Sequence, residues 1–162
     1  MKTYLQAIFF IVCPHTPRFH PWRPLVKLDP SAFVADPELI QALEQRSTPV
    51  NCGEERVLFR QGDIPEGLYI LNAGQTVLTM NTPSGEELIS VEAPAGSLLG
   101  LPGLVGNEPY TLTATARTGA KLHFVHRDDF TGMMKTDPSL GLKILQVLAA
   151  EVRSARRALA NR

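Results

Sequence analysis

Between Glu55 and Val125 the apolar residues come in short runs: RVLF, LYILNAG, QTVLTMN, LISVEAP, TLTATARTG and AKLHFVH. Each is bounded by Gly, Pro, Asn or Asp. Runs of this length with turn residues between them predict antiparallel strands of an all-β sandwich, barrel or roll. Gly62, Gly74 and Gly85 follow one another at near-regular intervals, which suits a roll with a turn at each corner. No helix-length amphipathic segment separates the runs, so parallel βαβ units are not expected.

On either side of this region the period turns helical. ADPELIQALEQRS (35–47) predicts a short helix. Asp36 can cap it, Pro37 suits the first helical position, and Leu39, Ile40 and Leu43 form one apolar face. After His126, RDDFTGMMK predicts a second short helix, with Asp128 and Asp129 near its positive end. Asp137 and Pro138 then open a long helix that runs nearly to Arg162. On it Leu142, Leu145, Ala149, Val152, Arg156 and Leu159 form a seam for a partner helix, interrupted by one arginine. Leu140, Ile144, Val147, Leu148 and Glu151 lie on the neighbouring face, toward the helix's own domain. The seam favours a dimer through this helix. A helix packed only on its own β domain is the plainer alternative. Arg153, Arg156, Arg157 and Arg162 suit the helix's negative end.

The N-terminal segment differs from the rest. Its apolar run, Ala7 to Val12, is far too short to span a bilayer. Cys13, Pro14 and His15 follow it in place of a small-residue cleavage site, which argues against a signal peptide. A packed or frayed leader, or a start codon placed upstream of the true one, fits better. Pro14, Pro17, Pro21, Pro24 and Pro30 predict an extended linker. The chain thus divides into a leader over residues 1–34, a β-roll with flanking helices over 35–136, and a dimerisation helix over 137–162.

Composition narrows the function. Sixteen basic residues cancel sixteen acidic ones in the 162-residue chain, so no global field draws it to nucleic acid. Cys13 and Cys52 are too few for a disulfide framework, a zinc site or an iron–sulfur cluster. They read as reduced thiols of a cytoplasmic protein. His15 and His20 fall in the leader, and His123 and His126 are three apart around one strand, on opposite faces. No Ser-His-Asp order, paired carboxylates or Walker-type loop stands out, so neither an enzyme nor a metal site is expected.

The stretch GLPGLVGNEPYTLTATA (100–116) carries the candidate chemistry. Gly100, Gly103 and Gly106 could let backbone amides approach an anion. The stretch holds no Lys or Arg to neutralise one.

The order of a leading helix, a β-roll, a short helix and a long helix resembles the cyclic-nucleotide-binding domain. More closely, residues 35 to 160 resemble the sensor half of the catabolite-activator and FNR (Crp/Fnr) transcription regulators. LFRQGDIPEGLYILNAGQTVL (58–78) is similar to that family's opening of the roll, with Gly62, Asp63, Leu68, Tyr69, Ile70, Leu71 and Gly74 in place. VHRDDFTGMMKTDPSLGLKILQVLAAEVR follows the family's run from last strand through paired helices. The resemblance implies a mainly β fold, a double-stranded β-helix or jelly-roll-like β-roll flanked by helices. It also implies an effector-sensing regulatory module rather than an enzyme.

By that resemblance, residues 100–113 are the phosphate-binding cassette. Members that bind cyclic AMP show Phe-Gly-Glu early in it and Pro-Arg-Thr/Ser-Ala late. Here the early triplet is Leu99-Gly100-Leu101 and the late group Pro109-Tyr110-Thr111-Leu112. Leucine stands where glutamate would meet the ribose, and tyrosine where arginine would meet the phosphate. The Thr and Ser that touch the adenine in the family fall at Ala155 and Arg156. These changes point away from high-affinity cyclic AMP binding. The candidate ligand set is Gly100, Leu101, Pro102, Gly103, Pro109, Tyr110, Thr111 and Thr113, for a cyclic nucleotide or another small anionic effector. In it, amides near Gly100 to Gly103 and the hydroxyls of Tyr110, Thr111 or Thr113 meet the anion, while Leu101, Ala155 and Arg156 shape the base end.

In the regulators the long helix leads into a helix-turn-helix domain. This sequence stops at Arg162, so no direct reading of DNA is expected, and with the leader's apolar run too short to span a bilayer no membrane contact is expected either. The expected partners are a second copy or a full-length relative. The alternatives are a ligand-free dimerisation or adaptor domain, and a haem or redox sensor on the same fold.

Overall fold

The computed structural model describes residues 26–161. The leader's Ala7–Val12 run, Cys13, His15, His20 and the prolines before Val26 lie outside the described residues.

The first elements among the described residues are a 3-10 turn, Pro30–Phe33, and helix α1, Pro37–Glu44. Asp36 caps α1 by accepting from the Glu38 amide at 2.9 Å. Strands β1 (Thr48–Asn51), β2 (Arg56–Phe59), β3 (Gly67–Ala73), β4 (Thr76–Asn81), β5 (Glu87–Ala93) and β6 (Leu98–Leu99) follow. Helix α2 spans Leu101–Gly106, ahead of β7 (Thr113–Ala116) and β8 (Lys121–His126). Helices α3 (Arg127–Thr136) and α4 (Pro138–Ala160) close the chain.

The strands make two four-stranded sheets, ordered β1-β8-β3-β6 and β2-β7-β4-β5. All pairs within them are antiparallel. The mainly β roll flanked by helices is therefore the fold that the strand pattern and the resemblance imply. Alternation along β3 shows how one strand serves two cores. Leu71 joins Phe59, Leu78, Val91, Leu99 and Leu122 between the sheets. Leu68 and Ile70 face the other way, onto Leu39, Leu43, Phe130, Leu140, Ile144 and Val147 of the helices.

Three features differ from the sequence expectation. The described part of the proline-rich stretch is packed rather than extended away: Val26 and Phe33 are buried, Val26 bridges Ile89 of β5, and the Asp29 amide donates to Ser154 Oγ of α4 at 2.7 Å. β1 forms on the sheet edge despite Pro49, where a missing N–H is tolerated. The glycine-rich loop contains the helix α2, held by burial of Leu101 and Leu104 in the helical cluster. Among the described residues no helix is long and apolar enough to cross a membrane.

Candidate functional site

β6 and α2 bring the glycine-rich segment to the mouth of the roll, opposite α4. Gly100 takes φ +88° as it turns the chain from β6 into α2, and a Cβ there would lie 2.7 Å from the Tyr110 ring. At Gly103 a Cβ would come within 3.1 Å of Pro65 and 3.3 Å of that same ring. These two glycines make room for Tyr110.

Tyr110 fills that room and points inward. It is 6% exposed and stacks on Phe59 with ring centroids 4.0 Å apart. Its hydroxyl donates to the Gly67 carbonyl at 2.5 Å. Burial, ahead of every other cause, pushes its phenol up to about 12, so at neutral pH it remains an uncharged donor. Gly67 is itself fixed: a Cβ there would sit 2.1 Å from the Val125 carbonyl oxygen. Arg127 ties the same corner together. Its guanidinium donates to the Pro65 carbonyl at 2.7 Å and to Asn107 Oδ1, at the end of α2, at 3.1 Å.

A cleft of about 350 Å3, its open mouth included, lies between this segment, the roll interior and α4. Gly100, Pro102, Gly103, Tyr110 and Thr111 of the expected ligand set line it. Leu101 does not: it is fully buried in the helical cluster, away from the cleft. Pro109 is exposed and is not a lining residue. Thr113 Oγ1 accepts from the Gln61 amide at 2.9 Å, bracing the turn after β2. Ala155 and Arg156 are exposed on α4, and neither reaches the cleft wall. Pro102, the second residue of α2, has no N–H, which removes one of the donors that a helix start offers an anion.

The residue from α4 that does reach the cleft is Glu151. Its Oε1 is enclosed and has no hydrogen-bond partner among the described residues. Burial pushes its carboxyl up to about 8. The sequence held a sign of this, because Glu151 falls in the register of Ile144, Val147 and Leu148 on the apolar face. The rest of the wall is Phe33, Phe59, Leu78, Leu98, Leu99 and Leu112, and among the described residues no Lys, Arg or His lines it.

The seam residues of α4 face outward. Leu142 is 63% exposed, Leu145 60%, Val152 47% and Leu159 57%. Ala149 and Arg156 are exposed with them. His123 Nδ1 pairs with Asn72 Oδ1 at 2.6 Å, and Asn72 donates in turn to Glu44. His126 caps α3 by accepting from the Asp128 amide. Among the described residues no three His, Cys, Asp or Glu side chains come together as a metal site.

Comparison with known proteins agrees with this architecture. The cyclic nucleotide-binding domain family model matches residues 49–137. The CRP-like cAMP-activated global transcriptional regulator of Mycobacterium tuberculosis is 26% identical over 127 residues, 78% of this chain and 56% of that protein. The fumarate and nitrate reduction regulatory protein of Vibrio cholerae is 27% identical over 118 residues, 72% of this chain and 45% of that protein. The chain thus spans about half the length of these regulators. The Thermus thermophilus catabolite activator protein superposes with a TM-score of 0.68 over 82% of this chain and 62% of its own, at 21% identity. The sensor domain of the regulator DNR from Pseudomonas aeruginosa gives 0.58 over 75% and 81%, at 24% identity. At those identities the superpositions speak for the fold alone. With the matched segment running from β1 to the end of α3, the chain belongs to the cyclic nucleotide-binding domain family, in the form carried by the Crp/Fnr-type regulators.

Proposed function

We propose that this chain is a non-enzymatic effector-sensing module of a transcription-regulatory system, and that its effector is not a cyclic nucleotide held with high affinity. The observation that carries the reading is the inward bond from Tyr110 to Gly67. The position expected to grip the phosphate is committed to the fold, and among the described residues no cation lines the cleft in its place. A charged contact to phosphate contributes roughly 1.5–3 kcal/mol, so its loss weakens binding by about tenfold to a few hundredfold. The signal leaves through α4, which touches the cleft with Glu151 and presents Leu142, Leu145 and Val152 to a second chain.

A thermal-shift titration against cyclic AMP, cyclic GMP, cyclic dinucleotides, haem and a broad metabolite panel tests this reading. Ligand at a hundredfold its dissociation constant stabilises by about 2.7 kcal/mol, several degrees for a domain of this size. A shift with a compound other than a cyclic nucleotide supports the sensor. Silence across the whole panel overturns it in favour of a ligand-free dimerisation domain.

A further inference from the structure

The cleft is chemically lopsided. Its walls are apolar side chains from the roll and the 3-10 turn, and among the described residues its ionisable lining groups are Tyr110 and Glu151. The Tyr110 hydroxyl is already spent on Gly67. Glu151 is the reverse case: a carboxyl whose Oε1 is closed off from solvent with no donor among the described residues. A buried carboxyl is stable in only two ways, by holding its proton or by meeting a donor. The exposed arginines Arg153, Arg156 and Arg157 lie on the same helix, and none of them lines the cleft or hydrogen-bonds to Glu151.

We propose that this cleft takes a small ligand with an apolar body and a protonated amine, its ammonium paired with the Glu151 carboxylate. The inference rests on the sensor reading and names the ligand class of that same site. An anion entering here meets no counter-charge among the described residues and must sit beside a carboxyl. An alcohol offers Glu151 a neutral hydrogen bond. An ammonium offers a charge-assisted one, the strongest of the three, and the aromatic rings of Phe33 and Phe59 in the wall favour a cation over an anion. On binding, Glu151 gives up its proton to solvent and the ligand's ammonium takes over as its partner, so charge balances inside the cleft. The position of Glu151 then supplies the link to the outside, because the seam that carries Leu145 and Val152 belongs to the same rigid helix.

Three compounds sharing one body separate the cases: 2-phenylethylamine, 2-phenylethanol and phenylacetate, titrated calorimetrically into the full chain and into Glu151→Gln. The expected order on the native chain is amine at least tenfold tighter than alcohol, with phenylacetate unbound. Glu151→Gln is expected to bring the amine down to the level of the alcohol. The order on the native chain stands as a test by itself should the variant fold poorly. Phenylacetate binding as tightly as the amine, or an amine preference that survives in a folded Glu151→Gln, overturns the amine assignment and leaves the sensor reading intact. Silence toward all three at millimolar concentration also overturns it, whereas the sensor reading falls only if the broad panel is silent as well.

Discussion

The Tyr110 hydroxyl lies 2.5 Å from the carbonyl oxygen of Gly67, a residue 43 positions away in the chain. That bond pins the end of the glycine-rich segment to the start of β3. It makes Tyr110, a residue of the expected ligand set, part of the core.

Removing only the hydroxyl therefore has a defined consequence. Tyr110→Phe keeps the stack on Phe59 but leaves the Gly67 carbonyl without this donor. A buried acceptor left unpaired costs about 1–3 kcal/mol, so the melting temperature is expected to fall by several degrees in a calorimetric scan. An unchanged melting temperature would mean that the bond contributes nothing net.

Glu151 sets a pH dependence of stability. Its carboxyl is raised to about 8 in the fold from an ordinary value of 4.5. The folded state thus holds the proton more tightly than the unfolded chain. Its contribution is fully present below pH 4.5 and is lost as pH rises through about 8. Each tenfold difference in proton affinity is worth about 1.4 kcal/mol, so the native chain is expected to lose a few kcal/mol across this window. Melting curves between pH 5 and 9 should slope downward for the native chain, beyond the slope that other groups impose on Glu151→Gln. Parallel slopes for the two would contradict the burial of an unpaired carboxyl.

Two glycines make a matched pair. Gly67→Ala drives a Cβ to 2.1 Å from the Val125 carbonyl, whereas Gly53→Ala meets nothing within 4 Å. The first must push β3 away from β8 and is expected to destabilise the fold by more than about 2 kcal/mol. The second is expected to stay within about 0.5 kcal/mol of the native chain. Denaturant midpoints for both variants check this contrast.

Much of the fold was legible because it rests on local periodicity. The short apolar run Leu68-Tyr69-Ile70-Leu71, ended by Gly74, marked β3, and Asp137 with Pro138 marked the start of α4 where it is found. β1, β6 and α2 were not legible. β1 carries Pro49 and is held by pairing with β8. β6 has two residues, and α2 is a six-residue helix of Leu, Pro, Gly and Val, held by tertiary burial rather than propensity. In the site, the sequence offered Tyr110 and Leu101 where the resemblance would place an arginine and a glutamate. The inward direction of Tyr110 could not, since it depends on space left by Gly100 and Gly103 and on an acceptor at Gly67. Counting along α4 by family analogy pointed to Ala155 and Arg156, whereas the helix presents Glu151 to the cleft, one turn earlier.

The outer face of α4 makes a separate expectation. Leu142 and Leu145 are 63% and 60% exposed, so changing both to glutamate removes little from the chain's own core. If the helix pairs with a second copy, light scattering should show a dimer for the native chain and a monomer for Leu142→Glu with Leu145→Glu. A native chain that is monomeric at micromolar concentration would contradict that pairing.

Calorimetric titration of the native chain with cyclic AMP tests the central claim most directly. With Tyr110 bonded to Gly67 and no cation lining the cleft among the described residues, saturable binding at micromolar nucleotide is not expected. A dissociation constant in the low micromolar range or below would contradict the account, because the phosphate would then be held without a cation from the described cleft wall.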